Sequence, residues 1–103
     1  MMDLKKPEEC LSIEDIRNEI DKIDKSIISL FAERQKYVED IVRFKFDADS
    51  IRAEARKDEV IKQRKKWAEE RGLDAETFEK IYDLLIESNI KQELKIFKTK
   101  PKK

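Results

Sequence analysis

Two cations and one carboxylic acid stand where the hydrophobic period of this 103-residue chain wants an apolar side chain. From Ile27 one stripe runs Leu30, Arg34, Val38, Ile41 and Lys45, in steps of 3, 4, 4, 3 and 4. On a continuous helix the eleven residues from Arg34 to Lys45 bring the two cations to within about 20° of one direction. Further on, Tyr82, Ile86, Ile90, Glu93 and Phe97 step by 4, 4, 3 and 4, so Glu93 also falls in the apolar phase. Charges facing a core are costly and need partners. The pattern is therefore either a buried ion pair, Arg34 with Glu93, or a pocket for an anion. Arg and Lys also snorkel, with the stem buried and the head wet, and Lys45 near a helix end would favour the C-terminal dipole.

Arg17 lies beside the Ile16/Ile20 stripe and is a surface residue by period alone. Arg56 is one of several cations in RAEARKDE. Tyr37, Trp67 and Tyr82 read as core or interface residues. Seventeen residues separate Arg17 from Arg34, about 25 Å along a helix, too far for one small ligand to touch both. In an antiparallel pair of such helices, Arg17 of one chain approaches Arg34 of the other. A site using both is shared between subunits, strongly cationic and suited to a small dianion, because Arg grips carboxylates through two hydrogen bonds.

Three helices must position these residues. Residues 1–11 read as an irregular arm. Ser12 is an N-cap, with Asp15 three residues on as a capping-box-like partner and Leu11 and Ile16 at the two staple positions. The apolar period then predicts a helix from 13 to about 45, roughly 50 Å long. A domain of about 100 residues is only ~35 Å across, so this helix overhangs it. A second copy of the chain is the simplest cover for its stripe. Residues 46–52, FDADSIR, read as a loop. A second helix, about 53–70, carries Val60, Ile61, Arg64, Trp67 and Ala68 on one side and stops at Gly72, the single glycine, placed where a C-terminal cap wants φ > 0. Asp74 caps a third helix, with Leu73 and Phe78 as its staple. That helix carries Phe78, Ile81, Tyr82, Leu85, Ile86, Ile90, Leu94 and Phe97, and residues 98–103 read as a frayed tail.

Composition narrows the chemistry. The 24 basic and 24 acidic residues cancel, which disfavours non-specific nucleic-acid binding. Leu, Ile, Val and Phe number 28 of 103, enough for a folded domain. One Gly and two Pro leave little turn chemistry for an all-β fold. The absence of His removes Ser-His-Asp and Cys-His catalysis and His metal sites. Cys10 alone allows neither an internal disulfide nor a Cys-rich zinc site. No apolar run reaches the roughly 20 residues of a membrane span, and the first ten residues lack the apolar core of a signal peptide; a cytoplasmic location is the expectation.

The string LSIEDIRNEIDKIDKSIISLFAERQKYVEDIVRFK resembles the first helix of the all-helical chorismate mutases. The matching elements are IR-x-EID-x-ID with Arg17, LFAER with Arg34 and RFK with Lys45. The resemblance covers about residues 7–97. PEEC, RFK and WAEERGLDAETFE look like the branch that contains isochorismate-pyruvate lyases. It implies one domain over 1–103: an all-α, intertwined homodimer of the chorismate mutase II type, with two equivalent sites, no cofactor and no metal. In such mutases chorismate rearranges to prephenate in one pericyclic step that needs no nucleophile. By match, Arg34 binds one substrate carboxylate and Arg17 of the partner chain the other. Lys45 donates to the enol-ether oxygen, and Arg56 falls near a further cation of the second helix.

Two departures from the family pattern matter. The third-helix residue on the same ether oxygen is often Gln; here it is Glu93, which must be protonated to donate. Asn89, one turn earlier on the same face, is a further substrate contact. Typical mutases also hold the substrate hydroxyl with acidic residues whose matching positions here are Ala53 and Lys57. That favours the lyase branch, which takes isochorismate to salicylate and pyruvate and can retain mutase activity. The reading stands as chorismate mutase first, isochorismate-pyruvate lyase second, and a non-catalytic helical dimerisation module third.

Overall fold

The computed structural model of the chain describes residues 3–44, 47–51 and 54–99, with the side chains of 48, 50, 54 and 55 left aside. Lys45 and Ala53 lie outside the described residues. All regular structure described is helical: α1 (Ile13–Asp40), α2 (Ala48–Ile51), α3 (Glu54–Glu70) and α4 (Ala75–Thr99), with 3₁₀ turns at Pro7–Glu9 and Ile41–Phe44. The chain divides into two units, residues 1–36 and 37–103.

In the first unit the arm is folded back on its helix. Pro7–Glu9 form a 3₁₀ turn closed by the Cys10 N–H on the Pro7 carbonyl at 3.2 Å. The Lys5 N–H donates to Glu19 Oε2 at 3.1 Å, and the Lys5 ammonium lies 3.9 Å from Asp15. Lys22 donates to the same Glu19 carboxylate at 3.0 Å. That bond, helped by the Lys5 N–H, holds the Glu19 carboxyl below its ordinary range. At the start of α1 the Asp15 N–H donates to Ser12 Oγ at 3.1 Å. The reciprocal bond comes from the N–H of Leu11, the residue before the cap, 3.0 Å from Asp15 Oδ2. The staple expected beside it is absent: Leu11 is 92% exposed.

No residue of α1 is buried within the chain. Ile13, Ile16, Ile20, Ile27, Leu30 and Phe31 are all exposed, although their spacing is that of a core-facing stripe.

The second unit holds the core. The α-helical step ends at Asp40 rather than near 45, and the backbone tightens into the 3₁₀ turn Ile41–Phe44, a common ending for an α-helix. The Arg43 guanidinium meets Asp40 at 3.1 Å across it. Tightening changes which residue faces inward: Val42 is 2% exposed, while Ile41, the stripe position, is exposed. Residues 46–52, expected to be a loop, contain the single turn α2, whose Ile51 is buried. Both α2 and the 3₁₀ turn pack on α4.

α3 and α4 form an antiparallel hairpin, the main packing of this unit. α3 ends in a Schellman motif: the Leu73 N–H bonds the Ala68 carbonyl at 2.8 Å and the Gly72 N–H the Glu69 carbonyl at 3.1 Å. Gly72 takes φ +74°, the left-handed region that Gly enters without cost. Asp74 then caps α4, accepting from the Thr77 N–H at 3.0 Å and the Thr77 hydroxyl at 2.6 Å. α4 continues to Thr99, two residues into the segment expected to fray. Ala68 of α3 and Ile90 of α4 are buried.

Candidate active site

The predicted site residues fall into three environments. Asn89 and Glu93 are buried on α4, at 6% and 9% exposure. Four residues apart, they share one face of the helix, with buried Ile90 between them. Keeping a carboxyl and an amide from water is costly unless their polar atoms find partners. Arg34 is half-buried on α1. Arg17 and Arg56, in contrast, are surface residues of the single chain. Their side chains are 69% and 63% exposed, and each lies near a carboxylate one turn along: Glu14 at 3.8 Å and Glu59 at 3.2 Å.

Arg17 and Arg34 belong to one continuous helix, so about 25 Å separates them within a chain. Lys45 lies beyond the end of α1 and outside the described residues. Its alignment with Arg34 assumed a uniform α-helical step, and that step stops at Asp40.

A cluster that the apolar period does not reveal sits where α3 meets α4. The Lys57 ammonium donates to Glu87 Oε1 at 2.6 Å and reaches Asp83 Oδ1 at 2.9 Å. Its side chain is only 16% exposed. Hydrogen bonds to Glu87 and then Asp83 outweigh its burial and hold the ammonium well above its ordinary lysine range. Two turns on, Lys65 lies 3.5 Å from Glu79. The signal was present as lysines at 57 and 65 on one helix and carboxylates at 79, 83 and 87 on the next. In an antiparallel hairpin these rows run in opposite directions, so Lys57 meets the later acids and Lys65 the earlier one.

The groove along this seam, about 1040 Å³, is lined by five lysines and five carboxylates and by none of the predicted site residues. It is the mouth of an ion-pair seam rather than a dicarboxylate pocket, which needs an excess of cations. Near the Gly72 turn, the Arg64 guanidinium stacks 4.7 Å over Trp67 and 5.7 Å from Tyr82. Its terminal nitrogen donates to Gln63 at 2.8 Å. Among the described residues, no group of three or more His, Cys, Asp or Glu side chains could hold a metal, and no helix is long and apolar enough to cross a membrane.

The described structure is all helical, with a buried acid and amide on α4 and two arginines on α1, whose apolar stripe lies open. The chain belongs to the type II chorismate mutase family, whose sequence model matches residues 16–94. It is also similar to the isochorismate pyruvate lyase of Pseudomonas aeruginosa, 36% identical over 95 residues that cover 92% of this chain and 94% of the relative.

Proposed function

We propose that the chain is a cofactor-free pericyclic enzyme acting on a chorismate-type dicarboxylate, and that its principal reaction is conversion of isochorismate to salicylate and pyruvate. The observation that carries the choice is Lys57. The typical mutases hold the substrate hydroxyl with acidic residues, and at one of the matching positions this chain has a lysine bound to two carboxylates of α4. The likeness to the Pseudomonas aeruginosa lyase supports the same choice. Rearrangement of chorismate to prephenate is the second reading, favoured by the family match over residues 16–94.

Atom balance defines what the site must do. The C–O bond to the enolpyruvyl group breaks, one ring hydrogen passes to that group to make the methyl of pyruvate, and the ring becomes aromatic. No enzyme nucleophile is consumed. The protein's task is to hold a compact conformer and to meet the charge that develops on the departing oxygen. In this reading Arg34 binds one carboxylate and Arg17 of a second copy the other, in an intertwined dimer. Lys45 and protonated Glu93 donate to the ether oxygen, and Asn89 and Arg56 complete the contacts. The open apolar stripe of α1 supports the dimer, because a second copy would cover it.

The test is a product assay with chorismate and isochorismate offered separately. Salicylate and pyruvate from isochorismate establish the lyase. Prephenate from chorismate with no turnover of isochorismate moves the assignment to the mutase. Turnover of neither substrate overturns the enzymatic reading and leaves a helical dimerisation module.

A further inference from the structure

Two of the three N–H donors of the Lys57 ammonium are engaged by α4, and Lys57 is the more buried of two adjacent cations. Arg56, its neighbour, is exposed. Consecutive residues on a helix point about 100° apart, so fixing the direction of one fixes the direction of the other. Two ion-pair clusters tie α3 to α4: Lys65 with Glu79 near the turn, and Lys57 with Asp83 and Glu87 near the start of α3. Among the described side chains of α3, the half-buried apolar ones include Val60 and Ile61, about one turn beyond Lys57. Arg56 lies in the first turn of α3, at the end of a helix, where fraying is easiest. Glu87 in turn is two residues from Asn89 and six from Glu93. The ammonium therefore connects the turn bearing Arg56 to the stretch of α4 that bears the buried acid and amide.

We propose that Lys57 is a positioning residue: clamped by Asp83 and Glu87, it sets the rotation and height of the first turn of α3 so that Arg56 is presented to the substrate bound at Asn89 and Glu93. This rests on the functional reading above, in which Arg56 is a substrate contact. It adds a role for a group that does not itself touch the substrate. Two acceptors on one donor suit such a clamp. A single exposed ion pair contributes little and exchanges readily, whereas an ammonium held from two sides on successive turns of one helix resists sliding and rotation.

The experiment measures kcat and KM for Lys57→Met, Lys57→Arg, and the double variant Asp83→Asn/Glu87→Gln, each well below its own unfolding temperature. The substrate is whichever of isochorismate and chorismate the wild type turns over. Methionine keeps the apolar stem and removes the charge. The expected result is a rise in KM of about tenfold in Lys57→Met, the order of magnitude of one weakened charge-assisted hydrogen bond, with a smaller change in kcat. The double carboxylate variant should show the same rise, and Lys57→Arg should recover most of the loss. Removing Arg56 as well, in Lys57→Met/Arg56→Ala, should add little, because both changes act through one contact. Unchanged KM in Lys57→Met, or full additivity with Arg56→Ala, overturns the positioning role while leaving the enzyme assignment intact. A wild type inactive on both substrates overturns the functional reading and this role with it. Should Lys57→Met not fold, the carboxylate pair and Lys57→Arg carry the same comparison.

Discussion

At the scale of single residues, the chemistry turns on a carboxyl asked to act as a donor. Glu93 is buried on α4 beside Asn89, and a carboxylate has no hydrogen to give. In the proposed reaction, activity falls as pH rises through the Glu93 pKa, and Glu93→Gln, which donates at any pH, flattens the profile. A rate–pH series on wild type and variant checks this; an unchanged profile in the variant removes Glu93 from the donor role. The chain has no His, the side chain that ordinarily titrates near neutrality, to overlie that profile. Lys57 does not overlie it either. Its pKa is raised in the folded state, so its stabilising effect is whole below about pH 10.4, the unfolded value, and fades only as pH climbs through the higher folded value. Glu93 was legible in the sequence because an acid in an apolar phase is anomalous. Lys57 stood out only as a departure from the family pattern; its ion pairs did not, because a lysine among RAEARKDE looks like any solvated charge until the opposing helix is in place.

At the scale of elements, the ends of the helices were the most readable features. A lone glycine after a polar helix and an aspartate two residues later specify a stop and a start, and the observed Schellman motif and Asp74 cap are those signals made real. A Cβ at Gly72 meets open space, so Gly72→Ala adds only the strain of φ +74°, about 1 kcal/mol. Denaturant unfolding should show that loss without a change in slope. Asp74→Ala should lower the thermal midpoint at neutral pH. The Thr77 hydroxyl and N–H, with Lys80 nearby, depress the Asp74 carboxyl in the folded state. Its contribution is present above about pH 3.9, the unfolded value, and is lost as pH falls through the lower folded value. Melting curves of the two proteins should converge in acid. The end of α1 was misread for a physical reason. The 3-4 spacing of Val38 and Ile41 continues the stripe, but a switch to 3₁₀ geometry turns Val42 inward instead, and period counting assumes one constant step. The short turn α2 was missed because a four-residue segment carries no period to count.

At the scale of the whole molecule, α1 is the informative element. Its apolar stripe was expected to overhang the domain and to need a second copy of the chain as cover, and within the chain Ile13, Ile16, Ile20, Ile27 and Leu30 are exposed. The two arginines it carries are about 25 Å apart. Both facts follow if two chains build each site, and mixing experiments can expose that. Arg17→Ala and Arg34→Ala chains should each be nearly inactive. Mixed in equal amounts and allowed to exchange, half the dimers pair one of each, and one of the two sites in such a dimer keeps both arginines. Activity should then return to about a quarter of wild type, as two-fold symmetry requires. Mixtures that stay as inactive as the parent variants would show that each site is built within one chain.

The hairpin of α3 and α4 has a consequence in time. Its partners are close in sequence, joined across the Gly72–Asp74 turn, and helical contacts of short separation form fastest. The stripe of α1, in the proposed dimer, must wait for a second molecule. Refolding should therefore show a rapid phase whose rate ignores dilution, followed by a slower one that lengthens as the protein is diluted. A newly made chain would carry a formed hairpin while still searching for its mate.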